Sequence, residues 1–387
     1  MNNSIQFNSF DSIKLPFLTP AAVCKNLFGC CGDSSLSLIL DLSSKQTRTA
    51  MLRVRYVALT VWLYFYVKNR KRRFKKRPPL SPTFGGSAHI PNGHTVKLSK
   101  GNVFYRLYNE GADSFEAPFF LVHGFVGSSE YFVPLIESLL ASNRRIYAID
   151  LYGRGRSDFV DEAMTHEFFA QQIVEFLISL KINTPINLVG YSMGGWIVVH
   201  FSSVYRHLVR SLTLIAPIGL PSMTKGPPKF LILFLKILGF FSQILYGGYL
   251  HEWFVRKLFV ENISGFLNDG WKHTVGSSRF DWYRKHNEKR LANEADTLPR
   301  AVTSTITNMS FDGLDSQYAV LGHSPPLPTL VLWGKKDTIV PFDPEGILKR
   351  IPHAVVKSYD DEGHILPIES AEMVGEDMQE WLQEQGV

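Results

Sequence analysis

The stretch "NLVGYSMGGWIVVHF", residues 187–201, decides how the rest of the chain is read. An apolar strand, "INLV", turns at once into a helix, "GGWIVVHF", and Gly190, Ser192 and Gly194 occupy the turn. Gly-x-Ser-x-Gly is common by chance, so its context has to carry the reading. Here the glycines fit a turn too tight to admit side chains beside the serine. Such a turn lifts the Ser192 hydroxyl above the C-terminal edge of a sheet, as a nucleophile elbow does. It also places the Met193 amide at a helix start, where it can donate to an oxyanion.

A serine hydroxyl is a poor nucleophile without a base. Downstream, "LVLWGKKDTIVP" (330–341) puts Asp337 just past the end of an apolar strand, and "DDEGHILPIE" (360–369) puts His364 in the loop after the last strand. The order Ser192, Asp337, His364 brings an acid and a base to the same sheet edge. Asp360 and Asp361 are rivals for the acid, and His323 and His353 for the base. Neither rival histidine follows a strand with a Gly-His step. Upstream, "LVHGFVGSS" (121–129) ends a strand in His123-Gly124, and the Phe125 amide then supplies a second oxyanion donor. His123 is expected to shape that loop by hydrogen bonding.

Working outward, "TVKLSK" and "VFYRLYN" read as an opening hairpin. "APFFLVHG", "RRIYAIDLYG", "PINLVG", "VRSLTLIAP" and "PTLVLWG" read as strands buried on both faces, with "AVVKSYD" a shorter one. Helical spacing fills the gaps, with Ser129 the expected N-cap of the first helix. This alternation predicts a mostly parallel sheet covered by helices. The core is assigned to 91–217 and 326–387. Residues 218–325 break the pattern and are read as an inserted helical cap. It carries "FLILFLKILGFFSQILYGGYL" (230–250), apolar nearly all round, with Lys236 and Gln243 arguing against a membrane span.

Residues 1–90 form a separate region. "YVALTVWLYFYV" (56–67) reads as a short apolar and aromatic anchor helix, a buried core helix beside a charged loop being the alternative, and "KNRKRRFKKR" (68–77) is a basic patch. The eight basic residues of that patch exceed the whole chain's formal charge of +6, and subtracting them leaves −2. The basicity is therefore local, which argues against a nucleic-acid surface and for an anionic membrane surface. Twelve residues fall short of the ~17 a span requires, so the anchor spans with help from Arg53, Arg55 and Lys68 or lies in the interface. Membrane association with the catalytic part on the cytoplasmic side is expected. "RPPLSPTFGGS" (77–87) is the linker. Cys30 and Cys31 are candidate acylation sites, and the only other cysteine is Cys24. No zinc-like spacing or phosphate loop occurs, and the chemistry requires no metal or organic cofactor.

With "LVHGF", "DLYGRGRSD", "GYSMGG", "LVLWGKKDTIVP" and "GHILPIE" in this order, the chain resembles the α/β-hydrolases that have a His-Gly oxyanion loop and a helical cap. The resemblance implies a Ser192–His364–Asp337 triad, amides of Phe125 and Met193 in the oxyanion hole, and a cap between the sixth and seventh strands. In layout it is similar to membrane-associated monoacylglycerol lipases and lysophospholipases. Relatives linked to acyl transfer carry Asp five positions after the base; Glu369 stands there instead, which implies hydrolysis. The expected reaction is hydrolysis of a lipid ester. Small soluble esters or carbon–carbon bonds are alternative substrates, and a non-catalytic binding module is the alternative of another class. Oligomeric state is not legible.

Overall fold

The computed structural model describes residues 92–113, 115–220, 283, 285, 287, 290, 291, 293, 294, 297–309, 314–323 and 325–387. The expected anchor, basic patch and linker and the apolar run at 230–250 lie outside these residues. Among the described residues no helix is long and apolar enough to cross a membrane.

Eight strands form one sheet: β1 (Gly93–Lys97), β2 (Asn102–Tyr108), β3 (Phe119–Val122), β4 (Ile146–Ile149), β5 (Ile186–Tyr191), β6 (Val209–Ile215), β7 (Thr329–Gly334) and β8 (Val355–Tyr359). Their spatial order is β1-β2-β4-β3-β5-β6-β7-β8. The β1–β2 hairpin is antiparallel and so is β2 against β4, whereas every pair from β4 to β8 is parallel. Every residue of β3, β4, β5 and β7 is buried, which explains their unbroken apolar sequence. The outer strands β1 and β8 instead have no fully buried residue.

Eight helices are described: α1 (Val133–Leu139), α2 (His166–Ser179), α3 (Met193–Val204), α4 (Leu298–Asn308), α5 (Asp315–Leu321), α6 (Pro344–Arg350), α7 (Leu366–Glu369) and α8 (Ala371–Glu384). They pack in groups, with α1 against α8 and α7, and α3 between α2 and α5. Between β6 and β7 the described residues contain helices and no strand. Thr165 caps α2 by accepting from the Phe168 amide.

The expected cap at Ser129 is corrected. Ser129 lies inside a 3₁₀ turn, Ser129–Phe132, that leads into α1, and the residue before it, Ser128, makes no side-chain cap bond. Instead the Ser129 N–H donates to Asp150 Oδ1 at 2.6 Å. A buried carboxylate at the end of β4 takes the place of the local hydroxyl, and a charged acceptor makes the stronger bond.

Strand register places the site. Val122 pairs with Gly190, so the chain leaving β3 runs beside the chain leaving β5. Gly334 pairs with Tyr359, which sets the loops after β7 and β8 side by side.

Candidate active site

Ser192 has φ 54° and ψ −117°, a sparsely populated conformation for a residue with a side chain. Close packing enforces it. A Cβ on Gly190 would lie 2.4 Å from Val198 Cγ2, and one on Gly194 would lie 2.0 Å from the Val122 carbonyl oxygen. The elbow is thus wedged between its own helix and β3. Ser192 is the N-cap residue of α3 and its side chain makes no capping bond, so its hydroxyl is left for another partner. The Met193 N–H, at the first helical position, is among the amides that have no intrahelical acceptor.

That partner is His364, whose Nε2 lies 3.0 Å from Ser192 Oγ. Its Nδ1 lies 2.7 Å from Asp337 Oδ2. A ring nitrogen facing a carboxylate carries the proton, so Nε2 is the acceptor for the serine hydroxyl. Asp337 Oδ1 takes the amide N–H groups of Ile339 at 2.9 Å and Val340 at 2.8 Å. With no side-chain exposure, this carboxylate is fixed entirely by protein donors. The loops carrying it and His364 interlock, since a Cβ on Gly334 would lie 2.3 Å from the Glu362 carbonyl oxygen. The His364 ring lies over Tyr191, with centroids 5.3 Å apart.

The rival acids and bases lie elsewhere. Asp360 pairs with Lys335 and Asp361 with Lys336 at the surface. His323 faces the Ala319 carbonyl and His353 the Leu327 carbonyl.

Gly124 approaches the elbow so closely that a Cβ there would lie 3.1 Å from Ser192 Cβ. His123 Nδ1 is 2.8 Å from the Gly124 carbonyl oxygen, and its Nε2 accepts the Leu151 N–H at 3.0 Å. One nitrogen must donate and the other accept, so the ring is neutral. Burial keeps it so, pushing its pKa down to about 3. The Gly124 carbonyl also accepts the Gly127 N–H at 3.1 Å. In a trans peptide the N–H points opposite to the C=O, so the Phe125 N–H is turned away from His123.

Residues that sequence reasoning missed surround this loop. Arg154 is fully buried; its Nε donates to the Phe125 carbonyl at 2.6 Å and its Nη2 to Thr305 Oγ1 at 2.7 Å. Arg290 Nη2 donates to the Val126 carbonyl and, at 2.9 Å, to Asn287 Oδ1, while its Nη1 is 3.0 Å from both Glu294 carboxylate oxygens. Burial pushes the Glu294 carboxyl up, and Arg290 pulls the other way. Tyr131 donates to Asn287 Oδ1 at 3.1 Å and accepts from Tyr283 at 2.7 Å. The spacing of positions 283, 287, 290 and 294 at four, three and four was the available signal for one helical face. Among the described residues no three His, Cys, Asp or Glu side chains converge to hold a metal ion.

Comparison with known proteins agrees with this geometry. Residues 117–371 match the family model described as alpha/beta hydrolase fold. The uncharacterized hydrolase YugF of Bacillus subtilis is 25% identical over 287 residues, 73% of this chain and 94% of that one. Lipase 1 of Psychrobacter immobilis is 26% identical over 269 residues, 68% of this chain and 76% of that one. The human 1-acylglycerol-3-phosphate O-acyltransferase ABHD5 is 34% identical over 130 residues, only 33% of this chain and 37% of that one. Among solved structures, the esterase EaEST of Exiguobacterium antarcticum superposes with a TM-score of 0.57 at 18% identity, covering 75% of this chain and 99% of that one. With the elbow, the sheet order and the matched span together, the chain belongs to the α/β-hydrolase fold family.

Proposed function

We propose that the protein is a serine carboxylester hydrolase that works through an acyl-enzyme on Ser192, and that its substrate is a lipid ester, a monoacylglycerol or lysophospholipid. The observation that carries this reading is the continuous hydrogen-bonded path from Ser192 Oγ through His364 to Asp337, at 3.0 and 2.7 Å. Ser192 Oγ bonds to the ester carbonyl carbon as His364 Nε2 takes its proton. The carbonyl oxygen gains the electron pair and is met by the amides of Phe125 and Met193. The imidazolium, steadied by Asp337, passes its proton to the alcohol oxygen as the carbon–oxygen bond breaks. Water then repeats the sequence on the acyl-enzyme, releasing the acid and restoring Ser192.

The lipid assignment draws support from the apolar run at 230–250, from the aromatic and basic stretch at 56–77, and from the relative named a lipase. Membrane attachment through 56–77, with the catalytic part on the cytoplasmic side, belongs to the same proposal. Glycosylation of Asn262 or Asn308, both in sequons, would place that part in a lumen and overturn it. The acyltransferase name of ABHD5 is a second reading with local identity behind it. Glu369 stands five positions after His364, where relatives linked to acyl transfer carry Asp, and by the family resemblance this difference supports water as the acceptor.

The test is fluorophosphonate labelling of the full chain, wild type against Ser192→Ala, followed by turnover of monoacylglycerols, lysophospholipids and short soluble esters. Labelling confined to the wild type, with preference for long acyl chains, is expected. A folded wild type that resists the probe would end the hydrolase reading, and preference for short soluble esters would end the lipid one.

A further inference from the structure

The segment between β6 and β7 does more to the site than border it. Arg290 and Glu294, one helical turn apart in that segment, form an ion pair with side chains 8% and 1% exposed. Such pairs are costly to bury, and removing one partner is strongly destabilising. This pair's outward contacts go to the loops of the core. The backbone N–H of Gly155 favours the charged form of Glu294, and Arg290 donates to the Val126 carbonyl.

The Val126 carbonyl shares a peptide plane with the Gly127 N–H, and the two point in opposite directions. Holding the carbonyl toward Arg290 aims the Gly127 N–H at the Gly124 carbonyl, which it reaches at 3.1 Å. The Gly124 carbonyl in turn shares its plane with the Phe125 N–H. Two peptide units in series thus connect Arg290 to the oxyanion donor. Arg154 holds the peptide between them through the Phe125 carbonyl, and Thr305 on α4 anchors Arg154.

We propose that Arg290, braced by Glu294, is a positioning residue that fixes the direction of the Phe125 N–H in the oxyanion hole. The catalytic part of this proposal rests on the hydrolase reading of Ser192 above. The inserted segment then contributes to the chemical step as well as to any recognition of substrate. A donor aimed at the oxyanion acts on the transition state far more than on bound ester, so its misalignment lowers kcat and leaves KM nearly alone.

The experiment uses the full chain carrying Arg290→Met and Glu294→Met together, because replacing a buried pair by apolar side chains of similar size preserves folding. Two readouts are taken: amide exchange across residues 121–132, and kcat and KM with p-nitrophenyl butyrate. Exchange in that loop is expected to rise while β5 and β6 stay protected. The expected fall in kcat is about 10- to 100-fold, below the cost of losing a donor outright, with KM shifted less than about threefold. Arg290→Lys, which keeps one donor and the charge, should recover part of kcat.

A loop whose exchange is unchanged overturns the proposal. So does a loosened loop with wild-type kcat, or a loss confined to KM. Wild-type protein that neither hydrolyses the ester nor takes a fluorophosphonate overturns the hydrolase reading and the catalytic part of the proposal, and the exchange data still decide whether Arg290 holds the loop.

Discussion

The Ser192–His364–Asp337 path and the polar cluster around the oxyanion loop lie side by side and are built in opposite ways. Each member of the first stands in a turn at the end of a strand, β5, β7 or β8, and is oriented largely by its own turn. Asp337 illustrates this, since both amides on its Oδ1 come from the next three residues. Ser192 and His364 are themselves 172 positions apart, but in the cluster the distant side chains do the orienting: Arg290 holds the Val126 carbonyl across 164 positions, and Thr305 anchors Arg154 across 151. Local turns therefore place reacting atoms, and long-range contacts hold the backbone that faces them.

Substitutions can break this contrast. The largest effect is expected from Ser192→Ala, which removes the nucleophile and should lower kcat by at least about 10⁴-fold. The turn is imposed by Gly190 and Gly194, so the melting temperature should stay within about 2 °C of wild type. A large drop in melting temperature would mean that the serine hydroxyl helps to hold the elbow.

Asp337→Asn comes next. The Asn oxygen would take the amides of Ile339 and Val340, leaving its NH₂ to face His364 Nδ1. That nitrogen must then accept, the ring proton moves to Nε2, and the base can no longer take the serine proton. A loss of about 10³- to 10⁴-fold in kcat is expected at neutral pH. Wild-type activity in this variant would transfer the acid's role to another residue.

Gly124→Ala probes the seam between the two systems. Its Cβ would lie 3.1 Å from Ser192 Cβ, so the loop must give by a few tenths of an ångström. About tenfold in kcat is expected from so small a misplacement, read by steady-state kinetics on a soluble ester. No change would mean that the loop and the elbow adjust independently.

The same contrast explains what was legible in the sequence. β3, β5 and β7 are largely apolar runs bounded by turn residues, so burial on both faces could be read directly. Ser192 and Asp337 each follow such a run, whereas His364 follows the partly exposed β8, and strand register does the rest. The Ser129 cap was misread because hydroxyl preference is local, whereas the group that takes its amide is Asp150, 21 positions away. Arg290 and Glu294 form an i, i+4 pair that looks like a solvated helix face. Nothing near them in sequence points to a carbonyl in the loop after β3.

The smallest effect concerns a histidine that belongs to neither system. His166 is 7% exposed, packs edge-on against Trp196 at 4.4 Å, and lies 5.6 Å from His200. Its Nε2 has no hydrogen-bond partner. Burial, with His200 adding to it, pushes its pKa down to about 4 from an ordinary 6.5. The unfolded chain therefore takes up a proton near pH 6.5 that the folded protein refuses until about pH 4. Stability is full above the unfolded value and is lost as the pH falls through that window, at up to about 1.4 kcal/mol per pH unit. Phenylalanine keeps an aromatic ring and cannot take the proton. His166→Phe should unfold in urea within about 0.5 kcal/mol of wild type at pH 7.5 and be the more stable of the two at pH 4.5. His123, also held neutral by burial, pulls in the same direction over a window that opens at the same unfolded value and runs down to about pH 3, so the variant's acid sensitivity should shrink without vanishing. Equal losses in both proteins between these two pH values would move the acid-sensitive proton to His123 and so to the oxyanion loop.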